Sequence, residues 1–200
     1  DYALVVSRIE SVKRVDLAIR AMRWTPPTLR LVVAGTGTQR EAFERLAMTE
    51  GSLGYILQQA LLNELRKRQM KRYVVTVVTQ VVVDENDPAF QAPSKPIGPF
   101  LTREEAERRR DELGWKVKED AGRGWRRLVP SPLPLRVIQR HMIRDAVRQG
   151  HIVVACGGGG IPVKRLPDGQ FAGLEAVIDK DLTSSVLATD VGAALLVILT

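Results

Sequence analysis

The residues of this 200-residue chain that could do chemistry gather at three places. The first is Gly157-Gly158-Gly159-Gly160, which follows the apolar run Ile152–Cys156. Successive N–H groups without side chains can come close to an anion and point at it. A strand that runs into a glycine loop is also where α/β sheets bind ligands, at the carboxyl edge. Four glycines exceed what a tight turn needs for positive φ, so the loop reads as an anion or phosphate site. The second place is Asp179-Lys180-Asp181, ahead of a helical pattern. Lys180 has the charge to neutralise a transferring phosphoryl group, and Asp181 can orient that ammonium or hold a metal-bound phosphate. Phosphoryl transfer depends more on positioning and charge compensation than on covalent chemistry. The same residues also read as an Asp N-cap beside a surface lysine, and both readings stand at this point. The third place is Lys95 in Ser94–Phe100 (SKPIGPF), where prolines stiffen the backbone around a lysine. It is either a phosphate-seeking lid lysine or a solvated loop lysine.

Other reactive types carry less. Cys156 reads as a small buried apolar residue rather than a nucleophile. His141 and His151 have no carboxylate or second histidine at ligand spacing, so no metal site is expected from them. One cysteine excludes an internal disulfide and a thiolate zinc cluster, and a reduced, cytoplasmic setting follows as the expectation.

The elements that must position these residues alternate between apolar runs and amphipathic stretches. Tyr2–Ser7 and Leu29–Ala34 read as strands, with a helix over Lys13–Arg23 between them and another from about Gln39 to Ala47. Leu53–Met70 reads as a further helix with Leu57, Ala60, Leu61 and Leu65 on one stripe. Tyr73–Val83 (YVVTVVTQVVV) is β-branched and apolar on both faces, which predicts one central strand. Asp84–Pro130 breaks regularity as a long insertion with the character of a lid. Within it Thr102 caps a helix over Glu104–Leu113, and Glu105 sits at the capping-box position. Trp115–Val129 reads as a hairpin or an irregular excursion. Arg136–Gln149 is expected to be helical, Ile152–Cys156 a strand, Val163–Ile178 a hairpin around Asp168-Gly169, Asp181–Thr189 a helix and Ala193–Thr200 a last strand. The pattern predicts an α/β fold with a mainly parallel sheet, helices on both faces and a protruding insertion.

The chain carries 30 Lys and Arg against 23 Asp and Glu, a net charge of +7. The bases are spread and interleaved with acids, and aromatics are 5% of the residues. Stacking platforms for nucleic acid are therefore scarce and no nucleic-acid partner is expected. No run of ~18 apolar residues is present, so neither a transmembrane helix nor a membrane partner is expected. The first residues show no secretion signal.

Five stretches resemble the carbamate kinases of the amino-acid kinase family. They are AMTEGSLGYILQQAL (Ala47–Leu61), VVTVVTQVVVDENDPAFQAPSKPIGPF (Val74–Phe100), EDAGRGWRRLVPSP (Glu119–Pro132), IVVACGGGGIPV (Ile152–Val163) and GLEAVIDKDLTSSVLA (Gly173–Ala188). The resemblance covers residues 47–200 and implies a partial domain of that family with a lid over 87–132. The implied reaction is phosphoryl transfer between ATP and carbamate with Mg2+, giving ADP and carbamoyl phosphate. The family's lid lysine falls on Lys95, its catalytic lysine on Lys180, the aspartate that organises the lysines on Asp181, and its substrate-side glycine loop on Gly157, Gly158 and Gly159, beside Gly160. The family also implies a homodimer, for which the Leu53–Leu65 stripe is available, although it serves a core equally well.

Residues 1–46 are similar instead to the start of the nucleotide-sugar domain of GT-B retaining glycosyltransferases. Arg8 and Lys13 match residues that contact the donor diphosphate there, and Gly35–Gly37 matches the glycine loop. The chain thus reads as a fusion with a seam near Ala47–Glu50. The family's N-terminal phosphate loops and C-terminal nucleotide pocket fall outside the resemblance, so no turnover is expected. The alternative is a non-catalytic anion-binding or structural fusion. Tyr2–Ser7 and Leu29–Ala34 are expected to complete the parallel sheet beside Val74–Val83.

Overall fold

The structure, a computed structural model, describes residues 3–6, 31–34 and 42–199, with side chains from Leu46 onward. The expected helix over Lys13–Arg23, Arg8, Lys13 and the Gly35–Gly37 loop lie outside the described residues. In chain order, strands β1 (Ala3–Val6) and β2 (Leu31–Ala34) precede helix α1 (Ala42–Lys67), then β3 (Val74–Thr76), β4 (Gln80–Val82) and β5 (Lys95–Leu101). Helix α2 (Arg103–Leu113), β6 (Lys116–Glu119), β7 (Trp125–Val129), β8 (Arg136–Val137), helix α3 (Arg140–Arg148) and β9 (Ile152–Val154) follow. The chain continues through β10 (Ile161–Arg165), β11 (Phe171–Gly173), helix α4 (Lys180–Val191) and β12 (Leu195–Ile198).

Five strands form one parallel sheet in the order β12-β1-β2-β9-β3. The first two strands do join it as the sequence suggests, but β9 stands between β2 and β3. Alternation along β9 sends its side chains to opposite faces. Ile152 and Val154 pack with Leu57, Leu61 and Leu65 of α1. Val153 packs with Ile143 and Val147 of α3 and Leu187, Ala188 and Val191 of α4. Helices therefore cover both faces of an α/β sheet, as expected. The α1 stripe belongs to this core, and Ala60, expected on it, is exposed.

Two departures matter for the site. The Tyr73–Val83 run is not one central strand. It divides into β3, at the end of the parallel sheet, and β4, inside a second sheet of order β11-β10-β4-β8. The link between them turns at Thr79, whose backbone and hydroxyl are taken up by groups from three other segments. A strand ladder cannot continue through a residue so engaged, and Tyr73, Val75 and Val78 are left exposed. The second departure is at the proposed seam. Instead of two helices, α1 runs unbroken through Ala47–Glu50. Gly54 is required in it, because a Cβ there would lie 2.2 Å from Thr76 Cγ2.

The lid is a separate antiparallel sheet, β5-β7-β6, carrying α2. Thr102 and Glu105 form the expected capping box, and Gly114 closes α2 in the left-handed region. The helix expected over Arg136–Gln149 starts only at Arg140, because Arg136 and Val137 pair with Val82 and Val81. Ile161–Arg165 and Phe171–Gly173 form the expected hairpin.

Candidate functional site

The glycine turn begins where β9 leaves the sheet. Cys156 takes φ 57° and Gly157–Gly159 make one tight turn. A Cβ on Gly159 would meet the Ile178 carbonyl at 2.3 Å, and one on Gly160 would meet Val81 Cγ2 at 2.4 Å. Close packing alone thus demands glycine at two of the four positions, a reason the sequence reading, which weighs a tight turn against an anion site, does not include. Nor do four bare amides converge. Gly159 N–H donates to Cys156 O at 3.1 Å and Gly160 N–H to Gly157 O at 3.0 Å. Only the Gly157 and Gly158 amides are left outside the turn's own hydrogen bonds.

Helix α4 packs its first turn against this loop. The Thr183 hydroxyl, fully buried, donates to Gly159 O at 2.8 Å. Asp179 is the N-cap, accepting from Asp181 N–H at 2.9 Å and Leu182 N–H at 3.3 Å. The cap reading of this motif is therefore realised by Asp179, and Lys180 is the first residue of the helix. Lys180 Nζ pairs with Asp181 Oδ1 at 2.9 Å.

Lys95 arrives from β5 of the lid. Its Nζ donates to Ile178 O and Asp179 Oδ2, both at 3.2 Å. It is a tethered lysine rather than a solvated one. Burial lowers its pKa and the Asp179 charge only partly restores it, while the Lys180 charge lowers it further. Burial would raise Asp179, but the Lys95 charge and hydrogen bond and two backbone amides outweigh that and hold it below its usual range. Ile178 is the junction: its carbonyl receives Lys95 and also walls in Gly159. Lys95 and Asp179 therefore meet at Ile178, beside the turn, and Lys180 and Asp181 pair with each other in the next two residues.

Three contributions lie beyond the sequence reading. Asp179 is covered there as an N-cap, but not as the partner of Lys95. Glu50 lies 4% exposed beneath the turn, its Oε2 accepting Thr79 N–H at 2.7 Å. Its signal is a charge placed four residues after buried Leu46 on the stripe of α1. Thr79 has no signal in a β-branched run. Cys156 is buried and inert: burial and the Glu50 charge both push its thiol up. His151 stacks edge-on with Tyr73 at 5.4 Å, a packing role.

No family model matches the chain. The carbamate kinase of Pyrococcus furiosus is 56% identical over 154 residues, 77% of this chain and 49% of that protein. The chain thus spans about half the length of the curated relatives it matches. Among solved structures, carbamate kinase from Giardia lamblia bound to citric acid superposes with a TM-score of 0.85 at 30% identity, covering 100% of this chain and 74% of that one. The Giardia lamblia carbamate kinase bound to AMP-PNP gives 0.80 at 30% identity, covering 100% and 73%.

Proposed function

We propose that this chain, which belongs to the carbamate kinase family, presents at the rim of its glycine turn a site for the phosphoryl group exchanged between ATP and carbamate. Lys95 and Lys180 supply the positive charge. Asp179 and Asp181 fix the two ammonium groups before a substrate arrives. Charge placed in advance against the equatorial oxygens of a migrating phosphoryl group is what such a reaction needs from a protein. The observation that carries the reading is the reach of Lys95 across 83 residues of sequence to the carbonyl that walls the turn. A nucleotide as phosphoryl donor is supported by the AMP-PNP bound to the Giardia lamblia relative.

The described residues do not form a magnesium cage. Both rim aspartates are tied to lysines, and no group of three His, Cys, Asp or Glu among the described residues is placed to hold a metal. Magnesium belongs on this reading to the nucleotide's own phosphates. We read residues 47–200 as the kinase segment and 1–46 as a segment of nucleotide-sugar-domain type. The 154 residues matched by the curated relatives are as many as run from Ala47 to Thr200. A homodimer would use the outward Met48, Tyr55 and Ile56 of α1, since the leucine stripe is in the core. No helix among the described residues is long and apolar enough to cross a membrane.

A second reading, anion binding without turnover, is favoured by one observation: both ammonium groups are already paired and two turn amides are satisfied internally. A coupled assay of ATP formation from ADP and carbamoyl phosphate separates the two. The sequence expectation is that no ATP forms; a signal that falls about 10²–10³-fold in Lys180→Ala selects the phosphotransferase reading instead. Binding of carbamoyl phosphate with no ATP formed selects the second reading, and neither binding nor turnover sinks both.

A further inference from the structure

Beneath the glycine turn runs a chain of hydrogen bonds that phosphoryl transfer does not itself use. Glu50 Oε2 accepts the Thr79 N–H at 2.7 Å. The Thr79 hydroxyl accepts the Cys156 N–H and donates to Val77 O, each at 2.9 Å. The Thr79 carbonyl accepts the Ile161 N–H at 2.8 Å. Cys156 enters the turn and Ile161 leaves it, so Thr79 pins both ends and Glu50 pins Thr79. The other carboxyl oxygen, Glu50 Oε1, is buried without a hydrogen-bond partner. Glu50 is among the residues that line a small, mostly apolar hollow with Thr49, Leu53, Thr76, Val154 and Gly157.

We propose that Glu50 is the positioning residue of the glycine turn, and that its charge state sets how tightly the turn holds an anion. The identity of that anion rests on the reading above. With a proton on Oε1 the carboxyl is neutral and can act as a donor. Ionised, it sets a full negative charge under the turn, in an interior where screening is weak. It also draws on the Gly157 amide, one of the two N–H groups left for a ligand.

The titration falls in an accessible range. Burial raises Glu50 from its ordinary 4.5 to about 8, against the opposing pull of the Thr79 and Gly157 amides. The Cys156 thiol is the titratable group facing it from the β9 side, and burial and Glu50 itself push that thiol upward out of the way. The adjoining parts of β3, β9 and β10, residues 76–78, 154–155 and 161–163, hold no titratable side chain.

Sulfate is the probe, because its charge is constant between about pH 6.5 and about pH 9.5, unlike that of phosphate. Sulfate affinity of the protein is expected to fall about three- to tenfold as pH rises through about 8, and to show no such step in Glu50→Gln. Hydrogen exchange supplies a readout that needs no ligand. Protection of the Gly157 amide relative to that of Gly158, corrected for intrinsic exchange, is expected to rise over the same range in the parent protein and to stay level in Glu50→Gln. A level profile in the parent protein overturns the inference without any variant, and so does the same pH course in both proteins. Lysine-dependent sulfate binding with a pH course indifferent to Glu50 overturns the inference and leaves the phosphoryl site standing. Protection that behaves as expected with no sulfate bound at any pH supports Glu50 as the positioning residue and sinks the phosphoryl site instead.

Discussion

Glu50 and Asp179 are both acidic side chains beside the same glycine turn, one beneath it and one at its rim, and they titrate in opposite directions. Glu50 has two backbone amides near it and, among the described residues, no cation acting on it, and burial wins. Asp179 has two amides and Lys95, keeps 42% of its side chain exposed, and is drawn down. The difference teaches that amides alone do not hold a carboxylate charged in a protein interior. A mobile cation or access to water is also needed.

The largest effect expected from this contrast is on stability. Glu50 binds its proton more tightly folded than unfolded, so its contribution is complete below about pH 4.5 and is lost as pH rises toward about 8. A shift of that size corresponds to roughly 5 kcal/mol across the window. Denaturant titrations at a series of pH values should show Glu50→Gln gaining on the parent protein steadily over that range. A difference independent of pH would mean that Glu50 is ionised throughout.

Next in size is the turn that lies between the two carboxylates. Gly159→Ala would force Cβ onto the Ile178 carbonyl at φ 100°, and a cost of about 2–3 kcal/mol is expected. Because Ile178 also anchors Lys95, the lid should loosen with it, read as faster proteolysis within 95–130. Loss of stability with an unchanged lid would show that Ile178 does not couple them.

The smallest effect belongs to the rim. Asp179→Asn keeps a good N-cap and loses the Lys95 ion pair, which is half exposed and worth about 1 kcal/mol or less. The Asp179 contribution is present above about pH 3.8 and lost as pH falls below it, so the variant should differ from its parent at neutral pH and converge with it in acid. Raised salt should shrink the difference at neutral pH. A gap that widens in acid contradicts the assignment.

Much of this arrangement was legible in the residues. Alternating apolar strands and helices specified an α/β sheet covered on both faces, and Thr102 with Glu105 specified the cap of α2, which starts at Arg103, one residue earlier than expected. Proline and glycine marked out the lid. What escaped was whatever depended on a distant partner. Nothing in YVVTVVTQVVV says that Thr79 leaves the ladder, because the carboxylate that takes its amide lies 29 residues earlier. The helix runs on through Gly51 and Gly54, where the sequence predicts a break, and Gly54 allows its close contact with Thr76. The glycine quartet was over-read for the opposite reason: its neighbours Ile178 and Val81 exclude side chains there whether or not a ligand binds. Lys95, Lys180 and Asp181 stand out as candidates in the sequence, whereas the pairing of Asp179 with Lys95, 84 residues apart, does not.

The division of Val74–Val82 between two sheets has a mechanical side. One covalent stretch is a member of both, so neither sheet can slide along the other without pulling on peptide bonds. The movement left open is a swivel with its pin at Val77–Thr79. Any such swivel turns about the same point from which Cys156 and Ile161 hang.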